Sequence, residues 1–170
     1  MRLLENIEPK RVMYFFEELS ARHRCSQHEK QATDWIAELA ESHGLQYHRD
    51  ALQNIIVKKP GTPGYEKAPT VILHGHIDMV CKLADGIIHD FATEGVKRKL
   101  EGNFIHAQGI TLGADNGLDI AYMLTLLDSN DIGDGADVRL LSGKRMTDFN
   151  WVLLAQRFPN GCNYFCKAIQ

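Results

Sequence analysis

The sequence predicts an α/β fold, a mixed sheet with flanking helices, and three observations carry that prediction. Up to Gly44 the apolar residues form two stripes at helical spacing. Short β-like runs follow, ending in the apolar segment Val71-Ile72-Leu73, and the stretch from Leu118 to Leu127 is apolar nearly all round. At 170 residues and 44% hydrophobic content the chain can build one domain with a proper core. A net charge of -3 with scattered Lys and Arg gives no basic surface, which excludes nucleic acid and an anionic membrane as expected partners. No apolar run approaches the roughly 18 residues of a membrane span. The N-terminus has no signal-peptide core, so a cytoplasmic location is expected.

The elements follow in order. Pro9 suits a first helical position, and Val12, Phe15, Phe16 and Leu19 give the first helix one apolar stripe, more readily a core face than a partner surface. Ser26-Gln-His-Glu29 reads as a capping box for a second helix that carries Ala32, Trp35, Ile36 and Leu39 and closes at Gly44. Leu45 and Tyr47 alternate with polar residues, Asn54 to Lys58 makes another short strand, and Pro60 to Gly64 is a turn. Val71, Ile72 and Leu73 should be a buried strand. Val96–Leu100 and Phe104–Ala107 flank Glu-Gly-Asn as a hairpin. The helix from Leu118 to Leu127 should be buried, with Asn116 as its cap and Asp115 held rigidly at its start. Beyond Ile132, residues 133–143 suggest a loop and a short strand, while Trp151 to Phe158 is apolar and of undecided type. Cys25, Cys81, Cys162 and Cys166 form no disulfide framework at this length in a reducing compartment, and the isolated Cys162/Cys166 pair makes no zinc site, so all four are expected as thiols.

Chemistry concentrates in two short segments, Thr70 to Val80 and Thr111 to Gly117. In the first, His76 and Asp78 lie two residues apart at a strand end, where one side of an extended chain presents both. A neutral imidazole can ligate a metal through one nitrogen while the other donates to a carboxylate that fixes its tautomer. In the second, Gly113 and Gly117 let the backbone turn tightly around Asp115, a carboxylate that could bridge two metals. Spacing alone equally allows His74 and His76 as polar strand-end residues and Asp115 as a turn residue.

The segments Ile72-Leu-His-Gly-His-Ile-Asp-Met-Val-Cys81, His89-Asp-Phe91 and Gly109-Ile-Thr-Leu-Gly-Ala-Asp-Asn-Gly117 resemble, in order, the motifs of the aminoacyl-histidine dipeptidases, within a clan of two-zinc exopeptidases. The resemblance runs from about Leu3 to about Ile132. It implies an incomplete zinc-exopeptidase catalytic domain over 1–132 and a divergent tail over 133–170, the product of a frameshift or premature stop. It further implies that His76 is a metal ligand, Asp115 the carboxylate bridging two zinc ions, and Asp78 the catalytic-site carboxylate that orients His76. His74 falls at a position that is not a ligand in the family, and His89 and Asp90 are expected as supporting or packing residues. The implied reaction is hydrolysis of dipeptides, of Xaa-His type with broad specificity.

The family's glutamate base, adjacent glutamate ligand, further aspartate and distant histidine find no match, since the chain has no glutamate after Glu101 and no histidine after His106. Asp134, Asp137 and Asp148 of the tail stand in no comparable context. Three readings follow. The chain is a dipeptidase by descent that is inactive alone; or a non-catalytic fragment that self-associates or pairs with a full-length homologue through exposed core surface; or an enzyme whose tail supplies substitute ligands. Bound zinc with measurable dipeptide cleavage separates the third from the second.

Overall fold

The computed structural model describes residues 2–64, 67 and 69–130, together with the backbone of 137–143. The apolar segment Trp151 to Phe158, Asp134, Asp148 and the Cys162/Cys166 pair lie outside the described residues. Among the described residues three helices and six strands follow one another: α1 Lys10–Ser20, α2 Lys30–Ser42, β1 Gln46–Arg49, β2 Ile55–Pro60, β3 Val71–His76, β4 Arg98–Glu101, β5 Phe104–Ala107, α3 Ala114–Asp128 and β6 Asp137–Gly143.

The helical stripes become the core. Val12, Phe15, Phe16 and Leu19 of α1 are buried with Ala32, Ile36, Ala37 and Ala40 of α2 and with Ile120, Ala121, Leu124 and Leu127 of α3 in a single apolar cluster. Pro9 sits one position earlier than expected, as the N-cap of α1 with extended backbone. Helix α2 ends as its glycine predicts. Gly44 adopts a left-handed φ of 65°, the Leu45 N–H donates to the Ala40 carbonyl and the Gly44 N–H to the Glu41 carbonyl, the two bonds of a Schellman motif. Its start differs. Glu29 itself is the N-cap and no side chain caps the helix; the Glu29 carboxylate accepts the Gln27 N–H, and the Ser26 hydroxyl is engaged by Asp78. A Ser-x-x-Glu spacing satisfies a capping box only when both side chains are free to turn back on the helix, and a buried carboxylate across the fold holds this serine instead.

Four strands form the main sheet in the order β1-β2-β6-β3, antiparallel except between β6 and β3. The β3–α3–β6 succession is therefore a parallel crossover, with α3 lying against β3 and packed lengthwise on α1. Strand β6 lies past residue 132 and yet is central, pairing Ile55 to Pro60 on one side and Val71 to His76 on the other. The expectation of a fully buried strand at Val71-Ile72-Leu73 is corrected: Val71 is exposed and Ile72 and Leu73 are half-buried. The reason is position, because among the described strands β3 ends the sheet and pairs only with β6. Strands β4 and β5 form a separate hairpin, with Glu101 paired to Phe104 across Gly102 and Asn103.

Two polar contacts lock α3 into this layer. Arg11 of α1 grips Asp128 at the end of α3 with two hydrogen bonds, of 2.5 and 2.7 Å. Lys59 of β2, 5% exposed, donates to the Leu126 carbonyl at 2.7 Å, which places a cation at the negative end of the helix.

Candidate active site

The two chemistry-bearing segments meet because the loops after them are stitched together. The Thr111 hydroxyl donates to the Val80 carbonyl and accepts from the Lys82 N–H, the Thr111 N–H donates to the Lys82 carbonyl, and the Ala84 N–H donates to the Gly109 carbonyl. Gly75 lets the strand approach the helix: a Cβ there would lie 3.0 to 3.2 Å from Asn116, Ile120 and Met123. His76, the last residue of β3, is thereby set beside the start of α3.

The backbone at that start is not regular helix. Asp115 (φ -87°, ψ 108°) and Asn116 (φ -108°, ψ 26°) depart from helical values, their shared peptide is cis, and Gly113 is the N-cap. No side chain caps α3, so Asn116 does not play the capping part expected of it. The extended turn at Asp115 leaves its carboxylate 74% exposed, beyond the reach of the helix ladder. The buried face of α3 is Gly117, Ile120, Ala121, Met123, Leu124 and Leu127, whereas Asp119 and Tyr122 face outward, so this helix has a solvent side after all.

His76, Asp78 and Asp115 converge. The His76 Nε2 is 3.1 Å from the Asp115 Oδ1. Its Nδ1 lies 3.0 Å from the Asp78 backbone carbonyl and 3.3 Å from the Asp78 Oδ1. Asp78 is 3% exposed and accepts a hydrogen bond from the Ser26 hydroxyl. One ring nitrogen thus faces a buried carboxylate and its own backbone, and the other faces an open one. Ser26 was not legible as part of this group, because its Ser-x-x-Glu context offers a local explanation.

The remaining candidates make other contacts. His74 is held neutral: burial, then the neighbouring His76, pushes it down to about 4. His89 is buried against Phe91 with ring centroids 4.6 Å apart. Asp90 accepts from the Thr93 hydroxyl and the Ala92 N–H, which makes it a turn-forming residue, and those bonds, the Thr93 one first, hold its carboxyl below the usual range. Cys25 and Cys81, expected as thiols, are joined in a disulfide with Cα atoms 5.5 Å apart. The two cysteines are distant in sequence, and the pairing of Arg24–Ser26 with Ile77–Met79 brings them together.

Among the described residues no group of three or more His, Cys, Asp or Glu gathers as a complete ligand set. The donor pair His76 and Asp115 nevertheless fits one side of a metal. Two ligand atoms each about 2.0–2.1 Å from a tetrahedral zinc stand roughly 3.4 Å apart, close to the 3.1 Å between His76 Nε2 and Asp115 Oδ1.

The fold is part of a mixed α/β domain with helices flanking the sheet. The chain has a TM-score of 0.63 at 21% identity to a tripeptidase from Staphylococcus aureus, covering 80% of this chain and 36% of that one. For the aminopeptidase PepT from Bacillus cereus the TM-score is 0.60 at 19% identity, over 80% of this chain and 36% of that one. Within that class the chain is similar to the aminoacylhistidine dipeptidases. It matches the enzyme of Vibrio alginolyticus with a TM-score of 0.81 and 32% identity over 85% of its length. It is 32% identical over 135 residues to the cytosol non-specific dipeptidase of Escherichia coli. It spans 28% of the length of the latter and 29% of the former. No protein-family model matches the chain.

Proposed function

We propose that this chain carries part of the metal site of a dipeptide-hydrolysing metallopeptidase, with His76 and Asp115 as metal ligands and Asp78 as the carboxylate that orients His76. The observation that supports it best is the contact of His76 Nε2 with Asp115 Oδ1 at 3.1 Å, between residues 39 positions apart, with Asp78 at the other ring nitrogen. A ligating imidazole needs its second nitrogen engaged to fix tautomer and ring angle, and Asp78, itself fixed by Ser26, does this from a buried position. The Asp115 carboxylate is 74% exposed, on the side where a second ion or the substrate would approach. Zinc bound there would supply an activated water at neutral pH and polarise the scissile carbonyl. The substrate class is dipeptides, including the Xaa-His type. The expected location is the cytoplasm.

For these 170 residues by themselves we propose little or no turnover. Proton transfer from water to the leaving amine calls for a carboxylate base, and no glutamate follows Glu101. The test is zinc affinity and cleavage of Xaa-His dipeptides by the purified chain and by its His76→Ala and Asp115→Ala variants. Zinc binding that both substitutions weaken, with no turnover, supports the proposal. Binding indifferent to both would refute the site, and robust turnover abolished by His76→Ala would mean that a tail aspartate or a second chain supplies the base.

A further inference from the structure

Arg24 is the largest fully buried side chain of the described core, at 1% exposure, and it belongs to no apolar stripe. Withdrawing a guanidinium from water is costly unless its donors and charge are matched. Both hydrogen-bond partners of its side chain come from the candidate site, while its buried Nε has no hydrogen-bond partner among the described residues. Nη1 donates to the Ile77 carbonyl at 2.8 Å and Nη2 to the Gly113 carbonyl at 2.5 Å. These carbonyls lie between His76 and Asp78 on one segment and two residues before Asp115 on the other. The Arg24 backbone carbonyl accepts the Met79 N–H at 2.9 Å. The space the guanidinium occupies is cut out of the site motif itself: a Cβ at Gly113 would come within 2.5 Å of Nη2, and one at Gly117 within 2.7 Å. Gly117 has no left-handed φ, so close approach by Arg24, and not the tight turn expected from sequence, explains its missing side chain.

We infer that Arg24 is a positioning residue for the His76–Asp78–Asp115 site, its planar guanidinium clamping the end of β3 to the start of α3. The inference rests on the proposed metal site for its function, though its geometry stands apart from any metal. Arginine suits this task because two donors of a rigid fork set the separation of two acceptors, whereas a lysine can bind either carbonyl but not fix both. The clamp acts through backbone, so its loss should leave each of the three side chains in place on its own segment while letting the segments drift apart.

The test uses the full chain with Arg24→Lys, Arg24→Met and Gly117→Ala. The last removes no polar group and would favour a helix on propensity alone, so harm from it reports the clash with Arg24. Nuclear Overhauser contacts between the His76 ring and the Asp115 β protons read the clamp directly, contacts between α1 and α3 read the global fold, and competition with a chromophoric chelator reads zinc affinity. Arg24→Met and Gly117→Ala should lose the His76–Asp115 contact while keeping the α1–α3 contacts, with zinc bound at least about tenfold more weakly; Arg24→Lys should fall between. Retention of the His76–Asp115 contact in folded Arg24→Met or Gly117→Ala overturns the inference. So does its loss only together with the α1–α3 contacts in all three variants, which would make Arg24 a general core residue. Should wild type bind zinc no better than His76→Ala, the metal site fails, and the proton contacts still decide the clamp.

Discussion

At the scale of single residues, the group that governs the site is Asp78, a carboxylate with 3% exposure. Leaving a buried charged acceptor short of a donor costs about 1–3 kcal/mol, so Ser26→Ala, which removes the hydroxyl that donates to it, should destabilise the chain by that amount in urea titrations. If Ser26 capped α2 instead, the loss would appear as fraying confined to that helix in hydrogen exchange, with Asp78 unaffected. Asp115 behaves in the opposite way. Its side chain is 74% exposed, so Asp115→Ala should change stability by less than about 0.5 kcal/mol. Leu124, fully buried in the core cluster, should lose about 2–5 kcal/mol on truncation to alanine. Equal losses in the two variants, measured by the same unfolding midpoint, would mean that Asp115 is a structural element and not an open ligand.

At the scale of elements, α3 is pinned at its far end by charge. Asp128 lies below the ordinary carboxylate range, chiefly through its hydrogen bonds from Arg11 and against partial desolvation. A carboxylate whose folded pKa is depressed contributes stability that is fully present above its unfolded value, about 3.9, and is lost as pH falls through the folded value. The midpoint of thermal unfolding should therefore drop as pH is lowered from about 5 toward 2, and Asp128→Asn should flatten that part of the profile. An unchanged slope in the variant would show that other carboxylates carry the acid sensitivity. Because Arg11 and Asp128 tie α1 to α3, the same variant should loosen that helix pair first.

At the scale of the whole molecule, the Cys25–Cys81 link closes a loop 56 residues apart in sequence. Cross-linking a loop of that length removes denatured-state entropy worth roughly 4 kcal/mol in the chain-entropy model. Reduction, or Cys25→Ser, should lower the urea midpoint accordingly. The link joins the loop of Arg24 and Ser26 to the segment of Asp78, so its removal should also speed amide exchange at Met79. A chain isolated from a reducing cytoplasm with two reactive thiols at Cys25 and Cys81 would have a correspondingly smaller margin.

By itself the sequence determined the elements whose signal is local or periodic: the stripes of α1 and α2, the glycine end of α2, the β4–β5 hairpin and the presence of helix α3, though not its solvent side. It also offered His76, Asp78 and Asp115 as candidates at a strand end and a glycine-flanked turn, where spacing alone equally allowed structural roles and the family resemblance made the choice. Only the tertiary structure decided the partners that cross the fold. Nothing near Ser26 in the chain announces Asp78, 52 residues on, and nothing near Arg24 announces Gly113, 89 residues on. The exposure of Val71 likewise followed from β3 ending the described sheet, which a run of apolar residues cannot report. Periodicity records which side of an element is buried; it carries no information about which distant group that side will meet. Buried charges such as Arg24 and Asp78 are settled by such meetings, because their cost is set by partners contributed from elsewhere.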